Sequence, residues 1–217
     1  ASVARVASLT RVFFRTRSVA DSVKKIATAN GLLRQGTRAL AQSADDIARG
    51  VSGSDIANVT TGLPELRTLA NEARIEATLA RQVADAGAVL ADKGVQTCRG
   101  LLNSRQAVVD DLVKQGVQSG EVYEAAQQAL ANAQKALKSA EAFAASERAI
   151  ATQAAEVARA ANDFGAAVIE LQKEAVAGAE FARLQPLINR VVETGGNLAL
   201  TAEGHGRTIA TVYKARE

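Results

Sequence analysis

An all-α fold is what this sequence predicts: an elongated, antiparallel, coiled-coil-like three-helix bundle with a short fourth helix near the C-terminus. Three observations lead there. First, 47 of the 217 residues are Ala, the strongest helix former, against 2 Pro. Second, apolar residues recur every seven positions through long stretches, the pattern of helices packed along a seam. Third, aromatics make up only 3%. Small side chains suit helices lying close together better than they suit a deep pocket.

The first helix, about 3–49, follows from one line of residues. Val12, Val19, Ile26, Leu33, Leu40 and Ile47 stand seven apart, and Thr16, Val23, Asn30, Thr37 and Ala44 fill the alternate positions. Asn30 and Thr37 put polar atoms into that seam, where such groups cost stability and can fix register. Asp45 and Asp46 oppose the helix dipole near the C-terminal end. The stretch "ARGVSGSDIANVTTGLPE" that follows is rich in Gly, Ser, Asn and Asp and reads as the longest loop.

The second helix, about 64–115, starts at Pro64, a first-turn residue, with Glu65 behind it. Gly87, Gly94 and Gly100 each weaken it by about 1 kcal/mol relative to Ala and mark either a close approach or a bend. Gly116 and Gly120 bracket the next turn. The third helix, about 121–184, carries Phe143, Ile150, Val157, Phe164 and Leu171 on one line and Tyr123, Leu130 and Leu137 on another. The offset between the two lines implies a stutter or a widened apolar face. Pro186 is expected to end or kink this helix. "TGGNLALTAEGHGRT" reads as a frayed loop that exposes His205, and a last helix covers about 206–216. All of this is assigned to a single domain, 1–217.

No motif for catalysis stands out. One His cannot build a metal site alone. The pairs Asp45–Asp46 and Asp110–Asp111 diverge by about 100° on a helix and form no dyad. The glycine-rich segment matches neither phosphate-binding fingerprint. Cys98 is the only cysteine and reads as a small apolar residue in a helix interface. The expectation is a protein that is no enzyme and uses no cofactor and no metal. Net charge is +3 and interspersed, so no nucleic-acid partner is expected. No apolar run of about 20 residues spans a membrane as a helix.

Two segments bear on compartment. Residues 1–20 hold Arg5, Arg11, Arg15 and Arg17 with no acid before Asp21. They read as the basic end of the first helix, with a lipid-binding surface anchored by Phe13 and Phe14, or a mitochondrial targeting segment, as alternatives. Asn58-Val59-Thr60 is an N-glycosylation pattern in the longest loop, so Asn58 is the candidate modified residue. The start at Ala1 and the lack of Met are read as the mark of a processed or shortened chain.

The stretch "YEAAQQALANAQKALKSAEAFAASERAIATQAAEVARAANDF", the long helical segments and the near absence of cysteine resemble the alanine-rich and glutamic acid/alanine-rich surface coat proteins of insect-stage trypanosomes. Those proteins share the three-helix fold of the haptoglobin–haemoglobin receptor. The resemblance implies a cell-surface rod, held to the membrane by a lipid anchor outside this chain. Loops at its tip, here 50–63 and 115–121, would meet a protein or host-surface ligand. The same helix pattern is similar to the coiled-coil region of type III secretion translocators, and an intracellular scaffold in cytoplasm or mitochondrion is the remaining alternative.

Overall fold

A computed structural model describes the backbone of residues 2–214 and the side chains of residues 21, 24, 25 and 28–212. The order is α1 (Ser2–Ala48), α2 (Ile56–Thr61), α3 (Leu63–Lys114), α4 (Glu121–Val176) and α5 (Phe181–Lys214). The four long helices pack in a ring, α1 on α3, α3 on α4, α4 on α5 and α5 back on α1. Ion pairs run along the seams at antiparallel register: Lys25–Glu76, Asp92–Arg148, Glu170–Arg190 and Arg34–Glu203. The all-α bundle is therefore present, with four long helices rather than three and a short one.

The difference lies at residues 177–180. The third helix does not run to 184. It stops at Val176, and Gly178 takes a positive φ of 75°. The Ala179 amide donates to the Glu174 carbonyl and the Gly178 amide to the Ala175 carbonyl, a Schellman end. Gly50 and Gly116 close α1 and α3 with the same pair of hydrogen bonds. Pro186 does not end a helix: α5 runs through it. It sits near the start of α5, exposed. The segment expected to fray is the middle of α5. Its glycines are poor helix formers, and only Gly195 of them is buried, but the helix carries a buried stripe of Leu184, Ile188, Val191, Leu198, Ala202 and Ile209. Burial of that stripe outweighs about 1 kcal/mol per Gly. Gly195 is required for packing: a Cβ there would lie 3.0 Å from Thr37 Cγ2 and 3.2 Å from the Phe164 ring.

The main core fills the end where α1 meets α3 and α4 meets α5. Phe164, Leu171, Leu184, Ile188 and Leu63 are fully buried there. Asn30 and Thr37 are in the seam as expected. The Asn30 amide donates to the Ala199 carbonyl across to α5, and the Thr37 hydroxyl donates back to the Leu33 carbonyl. The seam residues Val12, Thr16, Val19, Val23 and Ile26, and the basic 1–20 segment, lie outside the described side chains.

The helices differ in length. At 1.5 Å per residue α4 spans about 84 Å and α5 about 51 Å. The register set by Glu170–Arg190 and by Phe164 against Gly195 places Lys214 level with about residue 145 of α4. α1, which starts at Ser2, reaches about residue 99 of α3 by the register of Lys25–Glu76, and past that level α3 and α4 continue as a two-helix arm of about 25 Å, closed by the 115–120 turn.

Candidate functional site

Three places in this scaffold carry features beyond packing. The first is the end bearing Asn58. The expected loop contains a short helix, α2, which Asp55 caps by accepting from the Asn58 amide at 3.2 Å. Val59 points inward and is buried, which turns Asn58 outward. The Asn58 side-chain amide donates to the Gly53 carbonyl at 3.3 Å, and the Thr60 hydroxyl to the Ala57 carbonyl at 3.0 Å. Beside it a groove of about 300 Å³ runs between α1 and α3, floored by Leu40, Val59 and Leu66 and rimmed by Gln35, Ser43 and Asn58. The two candidate tip loops are at opposite ends of the molecule: 50–63 beside the 177–180 turn, 115–121 at the far end of the arm.

The second is a set of polar side chains inside the bundle, of which sequence reading did not assign His205 or Gln153 there. His205, expected on an exposed loop, is on α5 and 1% exposed, on the buried stripe between Ala202 and Ile209. Spacing could have found it, since it continues that stripe, but the four glycines around it argued for a loop. Among the described residues neither ring nitrogen has a hydrogen-bond partner, and the Oε1 of Gln153 on α4 is likewise buried without one. The α4–α5 register puts Gln153 and His205 in one layer, yet no hydrogen bond joins them. Burial pushes the His205 pKa from 6.5 down to about 4, so the ring is neutral at pH 7.

Glu147 is a further buried polar residue, 2% exposed, on α4 where the bundle narrows into the arm. Gly87 faces it, and a Cβ at Gly87 would come within 2.9 Å of the Glu147 Oε2. That is the close approach expected for one of the three α3 glycines. Gly94 and Gly100 have open space. The stutter expected in α4 falls here too. Leu130, Leu137 and Ala144 stand seven apart on one buried or half-buried line and Ile150, Val157, Phe164 and Leu171 on another, with Ile150 only six after Ala144. On α3 the buried series Ala73, Ala77, Ala80, Ala84, Gly87, Ala91 alternates fours and threes and then steps four again to Val95, two fours in succession near the same level.

The third is the arm. At its root the core is Ala91, Val95 and Ala144 with Leu137, Ala140 and Phe143 against them. Cys98 lies here, half-buried on α3. Asp110 accepts from Gln106 and Asp111 pairs with Lys114, so this acidic pair is engaged on the helix surface. Asp46 pairs with Arg49 in the same way.

Among the described residues no cluster of three or more His, Cys, Asp or Glu could hold a metal ion. No described helix is long and apolar enough to cross a membrane. Comparison with known protein families, with curated proteins and with solved structures found no match to this chain.

Proposed function

We propose that the chain is a non-catalytic helical rod, a cell-surface coat or receptor-like element that holds loops at its ends away from a membrane. The observation that carries the reading is the shape of the scaffold: long helices joined by short Schellman turns, with loops gathered at two ends about 80 Å or more apart. Rigid spacing is what such a scaffold supplies. The extracellular placement rests on Asn58, which is exposed on α2 within an intact acceptor pattern. A lipid anchor would lie outside these residues. The ligand is a protein or host-surface molecule met by the 50–63 or the 115–121 loop.

A second reading, an intracellular helical scaffold or a translocator's coiled-coil domain, draws on one observation. Ile75, Leu79 and Val89 stand about half-exposed along α3, a face that a partner helix could cover. A peptide map over residues 50–67 of protein purified from its native source separates the two. A hexose-containing adduct on Asn58 supports the surface rod. An unmodified Asn58 in protein recovered from the cytosolic fraction overturns it.

A further inference from the structure

One polar layer divides the apolar interior along α5. Ala202, with Val157 and Ala158 on α4, belongs to the main core, while Ile209, with Ile150 and Ala154 on α4, belongs to a separate small cluster. Between the two stand His205 and Gln153. They supply three buried polar atoms without a hydrogen-bond partner among the described residues: Nδ1 and Nε2 of the ring and Oε1 of the amide. Buried polar groups in folded proteins are nearly always hydrogen-bonded, to protein or to ordered water. Three orphans in one layer call for a ligand.

The layer has room on its α4 side. Gly204 stands two sevens after Arg190, the residue that reaches Glu170 on α4, so it lies on the α4-facing flank of α5. It is half-buried, and a Cβ added there would meet nothing within 4 Å. The buried residues around it are small, Ala199 and Ala202 on α5 with Ala154 and Ala158 on α4. The chemistry of the orphans selects the ligand. A neutral imidazole offers one N–H donor and one acceptor nitrogen, and the amide Oε1 is a second acceptor. A cation would leave the N–H unpaired, and an anion would leave both acceptors unpaired. The charged groups around this level are all exposed: Glu156 and Arg159 on α4, Lys24 and Lys25 on α1, Glu203 and Arg207 on α5. A small neutral molecule that both donates and accepts fits.

We infer that this layer binds internal water, one molecule bridging the Gln153 Oε1 to a ring nitrogen of His205 and a second serving the nitrogen on the opposite edge of the ring. Such a bridge ties α5 to α4 at one register, because sliding α5 by a turn would carry His205 away from Gln153 into purely apolar packing. The site stands independently of where the rod resides.

His205 is the only histidine, so its ring signals need no assignment. A crystal structure of the whole chain at a resolution that shows solvent, with water–imidazole cross-peaks in solution NMR at pH 7, tests the inference. The expected result is a water within about 3 Å of both Gln153 Oε1 and a ring nitrogen, with cross-peaks from the ring C–H protons to water. Gln153→Leu should remove that molecule and shift the resonance of the ring nitrogen it served, while helicity by circular dichroism is unchanged. Gln153→Leu with His205→Leu should lower the urea midpoint by less than the sum of the two single shifts, since each single variant leaves a partner orphaned. A direct Gln153–His205 hydrogen bond overturns the inference. So does a layer without solvent, an ion in place of water, a ring resonance unmoved by Gln153→Leu, or midpoint shifts that simply add.

Discussion

The base and the arm are built from the same two helices, α3 and α4, yet they are held together differently. In the base each of these helices has two neighbours, and the shared interior takes Phe164, Leu171, Leu184 and Ile188 at full burial. In the arm each faces one partner. Its described core is mostly Ala and Val, with Leu137 and Phe143 only partly covered. Burial stabilises by about 25 cal/mol per Å², so the larger, fully covered side chains concentrate stability in the base. The arm relies more on helix propensity and on surface pairs such as Arg99–Glu141 at 3.0 Å. Exposed pairs of that kind contribute about 0–1 kcal/mol. The difference predicts that the same helices form a cooperative core at one end and a locally opening hairpin at the other.

Substitutions sharpen this contrast. The largest effect is expected from Phe164→Ala, which opens a cavity at the centre of the base and should cost about 3–5 kcal/mol of global stability by denaturant unfolding. Leu130→Ala in the arm removes an apolar side chain where fewer neighbours surround it, and should cost about 2 kcal/mol or less.

Acid is the next lever, and His205 brings it to bear on the base. The unfolded chain protonates His205 near 6.5 and the folded chain only near 4. The folded pKa is depressed, so the stability of the neutral-His state is full above pH 6.5. It declines as pH falls from 6.5 through 4. The loss attributable to His205 is about 3 kcal/mol by linkage at about 1.4 kcal/mol per pKa unit. His205→Leu should flatten that part of the stability–pH curve, measured by urea midpoints from pH 7 to pH 4. An unchanged slope in the variant would mean that the ring is not titrating from a buried site.

Glycines give the smallest and most local effects. Gly195→Ala should destabilise the base by roughly 1–3 kcal/mol, because its Cβ meets Thr37 and Phe164. Gly100→Ala in the arm meets nothing and should stabilise by up to about 1 kcal/mol through helix propensity. Opposite signs for the same chemical change would separate a glycine required by packing from one tolerated by slack.

Much of this architecture was legible in the sequence, and the misses have physical causes. The seam Asn30, Leu33, Thr37, Leu40, Ala44 was readable because it keeps strict spacing beside a polar outer face. Pro64 and the glycines at 50 and 116 marked ends correctly, since each sits among other loop-forming residues. Gly178 makes the same Schellman turn within "EAVAGAEF", where helix formers surround it, and local propensity hides the break. The reverse happened around His205. Four glycines argued for a loop, but the stripe from Leu184 to Ile209 is buried against α1 and α4, and tertiary packing overrode the local signal. Of the candidate site, Asn58 and its exposure were readable. The buried layer of Gln153 and His205 was not, because it depends on a fourth long helix returning alongside α4.

α3 and α4 are expected to divide between a cooperative base and a separately opening arm. Native-state hydrogen exchange in dilute solution, read by peptide, tests it most directly. Amides in 157–171 and 184–198 should exchange only with global unfolding, while those in 100–114 and 121–136 should exchange far faster, at rates insensitive to Phe164→Ala. Equal protection along the whole length of α3 and α4, falling together in that variant, would contradict the account.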